Sequence, residues 1–217
     1  NDNKKIIKPK KDEIINTEYK VEADWSSASY FFSIVALSKN IELSFLNFRK
    51  DSFQGDINVC KYYELFGVKT TFQNGKLIIK KRNNFNYPEK IIIDLKDNPD
   101  LAQTIIVTAF GLNIPTKLTG LSTLKVKETD RIEALRNELT NLGASCIIDD
   151  ESIEFFKSNK LNKNYIINTY DDHRMALAFA PLSVIFPIEI QDPKVVSKSF
   201  PEFWNILEKL NFSIDFV

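Results

Sequence analysis

The chain has 217 residues, 29 Lys and Arg against 29 Asp and Glu, and is 43% hydrophobic and 12% aromatic. That composition fits one large or two small domains with a sizeable core, and it excludes a disordered chain. A zero charge balance argues against nucleic-acid binding through bulk charge; no run of ~18 apolar residues could span a membrane, and no signal peptide is visible.

Residues 1–17 are polar, with Lys4, Lys5, Lys8, Lys10 and Lys11 clustered. Phosphate binding is one reading of such a run; a solvated linker with a short strand over 5–7 is preferred. Residues 19–22 then read as a strand, and Asp24, Ser26 or Ser27 can cap a helix over 28–37. A strand over 41–46 follows, then a helix over 56–66 stopped by Gly67. Strands over 68–72 and 76–81 flank Asn74-Gly75, a strong hairpin signal. The order recurs. Residues 91–95 read as a strand, and Pro99 suits the first turn of a helix running through 110, where its missing N–H is harmless. A strand over 116–121 and a helix over 131–142 stopped by Gly143 come next. Strands over 144–148 and 153–156 turn at Asp149-Asp150-Glu151. A third copy has strands over 165–169, 188–191 and 212–216, with helices over 171–184 and 201–210. Asn211 takes the place of the stop glycine.

The helix stops at Gly67, Gly143 and Asn211 recur at similar spacing, which marks an internal repeat. The fold class expected is therefore α/β (α+β), built of three βαβαββ units of about 19–82, 90–157 and 165–217. Pseudo-three-fold symmetry should place sheets outside and helices inside. Tyr30-Phe31-Phe32 and Ile105-Ile106-Val107 make their helices apolar over wide arcs, as burial between sheets requires. The third unit lacks a sixth strand, which should leave an open sheet edge unless something outside this sequence fills it. The chain begins at Asn1 and not at Met, which hints at a piece of a longer protein.

Acids stand at several helix starts: Asp24, Asp97 and Asp100, Glu128 and Asp130, and Asp171-Asp172. They are caps and dipole partners on one reading and chemistry on the other. Arg131 and Arg174 oppose the dipole in a first turn and need a reason, which an anionic ligand would supply. A neighbouring acid can move protons. Together these suggest an enzyme acting on a phosphorylated or carboxylated small molecule. Lys198 precedes a helix and becomes a third cation candidate. His173 reads first as a structural hydrogen-bonder. Cys60 and Cys146 lie in apolar runs and read as buried free thiols of a reducing compartment, hence a cytoplasmic protein, and not as nucleophiles. Metal-ligand spacing is absent, so neither a metal nor a cofactor is expected.

Five blocks carry a resemblance. They are residues 22–30 (Glu22-Ala23-Asp24-Trp25-Ser26-Ser27-Ala28-Ser29-Tyr30), 98–104 (Asn98-Pro99-Asp100-Leu101-Ala102-Gln103-Thr104), 126–131 (Val126-Lys127-Glu128-Thr129-Asp130-Arg131), 171–176 (Asp171-Asp172-His173-Arg174-Met175-Ala176) and 192–201. In this order they resemble the 5-enolpyruvylshikimate-3-phosphate synthase (3-phosphoshikimate 1-carboxyvinyltransferase) family, over its C-terminal half. The resemblance implies transfer of the enolpyruvyl group of phosphoenolpyruvate to the 5-hydroxyl of shikimate 3-phosphate, with release of phosphate. It implies that Asp100 accepts the hydroxyl proton and contacts the shikimate ring. Lys127 and Thr123 would contact shikimate 3-phosphate; Thr123 stands where many members carry Asn, and Lys125 replaces a usual Arg. Glu128 would carry the proton to and from the methylene carbon. Arg131, Arg174 and Lys198 would clamp phosphoenolpyruvate, with His173 in support. Residues 1–18 would end the other domain, and 19–217 would form the C-terminal domain. The family's N-terminal domain would complete both substrate sites and supply the sixth strand, so the isolated chain is expected to be inactive. The rivals are the related UDP-N-acetylglucosamine enolpyruvyl transferase, whose motifs differ at 127–131 and 171–175, and a non-catalytic ligand-binding or RNA-associated domain on a similar scaffold. Neutral charge and the lack of aromatic-basic interleaving speak against RNA.

Overall fold

The computed structural model describes Glu18 and residues 21–216. The strand expected at 5–7, and residues 19 and 20 of the next, lie outside these. Val21 and Glu22 belong to no strand. Helix α1 spans Trp25–Leu37, three residues earlier than its apolar pattern suggested, because Asp24 caps it by accepting the N–H groups of Ser26 and Ser27. Strand β1 (Glu42–Leu46), a 3-10 turn (Gly55–Asn58), helix α2 (Val59–Glu64), β2 (Val68–Gln73) and β3 (Lys76–Lys81) follow. Asn74 and Gly75 both adopt positive φ (52° and 70°), as a two-residue type I′ hairpin requires. The first sheet has the order β1-β3-β2, all antiparallel.

Strand β4 (Ile91–Asp94), a 3-10 turn (Pro99–Leu101), α3 (Ala102–Leu112), β5 (Thr116–Thr119), a 3-10 turn (Ser122–Val126), α4 (Arg131–Asn141), β6 (Ser145–Ile148) and β7 (Ile153–Phe156) come next. Here β4 and β5 are parallel, and the sheet order is β4-β5-β7-β6. The remaining elements are β8 (Ile166–Ile167), α5 (His173–Phe179), a 3-10 turn (Ala180–Val184), β9 (Glu189–Ile190), a 3-10 turn (Pro193–Lys198) and α6 (Phe203–Lys209). The single helix expected over 171–184 breaks at Ala180, because Pro181 has no N–H for the α-helical ladder.

The strand expected over 212–216 does not form. The first two sheets supply the reason. In each, the later strand of the hairpin, β3 or β7, lies between the earlier one and the strand that precedes the second helix. The earlier hairpin strand therefore has only its hairpin mate to bond. Residues 212–216 have no such mate among the described residues, and β8 and β9 pair over two residues only. A groove of about 690 Å³ lies between β9, α6 and residues 212–216, lined by Ile190, Trp204, Leu207, Phe212 and Ile214 among others.

Helices α1, α3 and α5 carry most of the core and are buried over nearly their whole circumference. Small hydroxyl residues let α1 and α3 approach closely: Ser29 Oγ lies 3.0 Å from Thr104 Oγ1, and Thr108 Oγ1 donates to Ser33 Oγ at 2.7 Å. Farther along, Gly111 leaves room for Leu37, whose Cδ2 would sit 2.7 Å from any Cβ there. This packing ties the polar N-terminal ends of α1, α3, α4 and α5 into one cluster.

Candidate active site

Arg131 is the centre of that cluster and only 1% exposed. Its Nε donates to Asp172 Oδ2 at 2.6 Å, its Nη1 to Asp100 Oδ1 at 3.2 Å and its Nη2 to Glu128 Oε2 at 2.7 Å. This is why an arginine is tolerated in the first turn of α4. Three protein carboxylates, two from distant parts of the chain, surround a guanidinium with a fork of donors matched to them.

Asp172 is fully buried and caps α5 by accepting the N–H of Arg174 at 2.8 Å. Asp100 follows Pro99 in the turn leading into α3, and its carboxylate meets two cations besides Arg131: Arg174 Nη2 is 3.0 Å from Oδ2, and Lys127 Nζ is 3.7 Å from Oδ1. Burial opposes the charge of Arg174, and the neighbouring Tyr30 and the acids Asp100 and Asp56 outweigh it and hold the guanidinium above its usual value. Glu128 keeps 40% of its side chain open to solvent. His173 Nδ1 lies 3.9 Å from both Glu128 Oε1 and Asp172 Oδ1, without a hydrogen bond. Burial pulls the imidazole below its ordinary value, with the nearby acids pulling back.

Glu128, Asp172 and His173 offer ligand atoms within 4.8 Å of one another, the spacing of a candidate cation site. Arg131 already occupies both carboxylates, so its positive charge stands where a cation would bind. Lys198 sits at the rim with Asp171, its Nζ 3.1 Å from Oδ1 and 3.3 Å from the carbonyl oxygen. Thr123 is exposed in the turn Ser122–Val126 and takes part in none of the cluster's hydrogen bonds described above. Cys60 and Cys146 are half-buried free thiols at the core's edge, and burial pushes each up to about 12, which suits packing and not nucleophilic attack.

The sequence reading missed two further groups. Asp56 accepts from Ser26 Oγ and, at 3.4 Å, from Asn98 Nδ2. Burial raises its carboxyl above the ordinary range, and the charge of Asp100 adds to the shift. Asn98, also buried, accepts at Oδ1 from Asn58 Nδ2 (2.9 Å) and Tyr62 OH (3.0 Å), and so fixes the backbone two residues before Asp100. Asp56 had a usable signal: it stands at a helix start, as Glu128 does. Asn98 had none beyond its place before Pro99.

The family described as EPSP synthase (3-phosphoshikimate 1-carboxyvinyltransferase) matches residues 1–207. The chain belongs to that family. A 3-phosphoshikimate 1-carboxyvinyltransferase of Bacteroides fragilis (strain YCH46) is 42% identical over 199 residues, covering 90% of this chain and 48% of its own. The one from Methanosphaerula palustris is 36% identical over 191 residues, covering 88% and 44%. The chain thus spans about half the length of the curated relatives it matches. Among solved structures, EPSP synthase from Acinetobacter baumannii superposes with a TM-score of 0.65 at 23% identity, covering 87% of this chain and 46% of that one. The enolpyruvyl transferase NikO from Streptomyces tendae gives 0.59 at 12% identity, covering 90% and 44%. These likenesses establish the fold that the EPSP synthase family and NikO share. No helix among the described residues is long and apolar enough to cross a membrane.

Proposed function

We propose that this chain supplies one half of a 3-phosphoshikimate 1-carboxyvinyltransferase site in a cytoplasmic enzyme. Residues 19–217 are its C-terminal domain, and 1–18 lead in from another. The observation that carries the proposal is the array around Arg131, in which Asp100, Glu128, Arg174 and Lys127 converge at one end of the fold in a member of this family.

In the reaction, the 5-hydroxyl oxygen of shikimate 3-phosphate bonds to C2 of phosphoenolpyruvate while its methylene carbon gains a proton. Phosphate then leaves, and the resulting methyl group loses a proton. Asp100 accepts the hydroxyl proton, and partly exposed Glu128 serves the carbon in both directions. Arg131, Arg174 and Lys198 hold the carboxylate and phosphate of phosphoenolpyruvate, with His173 behind Glu128. Lys127 and Thr123 face shikimate 3-phosphate. Every nitrogen of Arg131 is bonded to a carboxylate here. A substrate anion that binds this guanidinium competes with Asp100 and Glu128 for it, which loosens those acids for proton transfer as the site fills. A strand from the rest of the polypeptide fills the groove between β9 and 212–216.

The test is phosphate release from phosphoenolpyruvate plus shikimate 3-phosphate, first with the chain alone and then with the other half of the polypeptide added. Turnover only in the mixture supports the reading. Turnover by the chain alone overturns the split site. Silence in a folded mixture points to a non-catalytic paralogue, and turnover with UDP-N-acetylglucosamine in place of shikimate 3-phosphate points to the related transferase.

A further inference from the structure

Glu138 lies two turns after Arg131 on α4 and is fully buried, and among the described residues it pairs with no Lys or Arg. Its Oε2 accepts the backbone N–H of Asn168 at 3.0 Å, and its Oε1 accepts the hydroxyls of Tyr170 at 2.7 Å and Tyr165 at 3.2 Å. Asn168 Nδ2 also donates to Tyr165 OH at 3.1 Å, closing a ring of polar groups against the helix. A buried carboxylate is retained only where donors replace its water. All of these donors belong to the segment leading into Asp172, His173 and Arg174.

That segment is unusual in its backbone. Tyr170 and Asp171 are consecutive non-glycine residues at positive φ, 54° and 55°. Such a pair persists only where its surroundings over-determine it. Helix α4 does so from two points on one face, seven residues and roughly 10 Å apart. Arg131 grips Asp172 beyond the left-handed pair, and Glu138 grips Asn168 before it and Tyr170 within it. Lys198 bonds the Asp171 carbonyl and carboxylate from the outer side.

We infer that Glu138 is a positioning residue: through Tyr170 and Asn168 it holds the left-handed turn that aims Arg174 at Asp100 and presents Asp171 to Lys198. The inference deepens the function proposed above and rests on it for its kinetic consequence. Burial and the Glu138 carboxylate both raise the Tyr170 hydroxyl, so it remains a donor at any working pH.

Two variants test this. Glu138→Gln keeps the shape but cannot accept from the amide and both hydroxyls at once, and Tyr170→Phe removes one bond and leaves the helix untouched. The first readout needs no activity. The buried Arg131 Nε–H should exchange with solvent about tenfold faster in both variants, since loss of one strong bond to a carboxylate is a shift of that order. The second uses the reconstituted enzyme. KM for phosphoenolpyruvate should rise about tenfold, and that for shikimate 3-phosphate less than about twofold. A lowered Tm in both variants with unchanged Arg131 exchange and an unchanged KM ratio would overturn the inference and leave Glu138 a stabilising group only. If wild-type enzyme has no turnover, the functional reading fails by itself and the exchange rates still decide the positioning role.

Discussion

Arg131 Nε lies 2.6 Å from Asp172 Oδ2, and both side chains are buried, at 2% and 0% exposure. The two residues start different helices, 41 positions apart in sequence. Their ion pair locks α4 to α5, and Arg174 follows Asp172 by two residues. One buried bond therefore sets the spacing between the groups around Asp100.

Removing one partner should be costly. Asp172→Asn leaves a buried guanidinium short of a charge and weakens a helix cap, and should destabilise the fold by about 3–5 kcal/mol. Urea unfolding checks this through the shift in midpoint. Arg131→Met should cost a similar amount, and the double variant less than the sum, because the two act as a unit.

Lys81 offers a second buried cation, only 8% exposed. Its Nζ donates to the Ala36 carbonyl, the Phe66 carbonyl at 3.3 Å and Tyr87 OH at 2.6 Å, so it closes the C-terminal ends of α1 and α2. Lys81→Met leaves those oxygens unpartnered and should cost about 1–3 kcal/mol. Burial brings the amine down to about 8 from 10.5. The unfolded chain then binds more protons between those values, so wild-type stability gains from rising pH there. The contribution is lost as pH falls through about 8. The variant should lose that slope, which denaturation at pH 8 and pH 10 reads directly.

Local geometry was legible in the sequence wherever one residue type decides a backbone state. Gly67, Gly143 and Asn211 end their helices at φ 77°, 103° and 70°, and Asn74-Gly75 turns its hairpin. Pro99 opens a helical segment as read. What failed was non-local. Residues 212–216 have a strand's composition, but a strand needs a neighbour, and composition cannot say whether one exists. The partners of Arg131 were illegible for the same reason: an arginine in a first turn announces an anion without saying that the anions are Asp100, Glu128 and Asp172. Asp56 begins its helix as read, which marks it as an acid at a helix start, but only folding brings it to Ser26 and Asn98.

Two groups near the site should impose opposite pH slopes. Burial lowers the His173 imidazole below 6.5, so the unfolded chain binds more protons in the window beneath that value. Its contribution is complete above pH 6.5 and disappears as pH falls through the lowered folded value. His173→Asn should flatten the loss of stability on acidification from pH 7 to 5. Asp56 behaves in reverse. Its carboxyl is raised above 3.8, so its contribution is present below that pH and disappears as pH rises through the folded value. Asp56→Asn should therefore gain stability relative to wild type on going from pH 4 to 7. Unfolding curves of the two variants at several pH values separate the effects.

The groove beside β9 yields the last prediction. In the first sheet β3 bonds both neighbours, and β7 does so in the second. A strand entering the groove would do the same for β9 and residues 212–216, burying Phe212 and Ile214 as it paired. The two-residue β8–β9 ladder should lengthen with it, since an edge without a neighbour frays. Amide exchange at 188–191 and 212–216 is then fast in the chain alone and slows by at least about a hundredfold when the other half of the polypeptide is added, as amides that open only with the global fold do. Ile214→Asp would place an unpaired charge in that groove and should weaken reassembly by about 2–3 kcal/mol, while leaving the fold of the isolated chain nearly unchanged. Equal exchange with and without the other half would mean that residues 212–216 do not receive a strand.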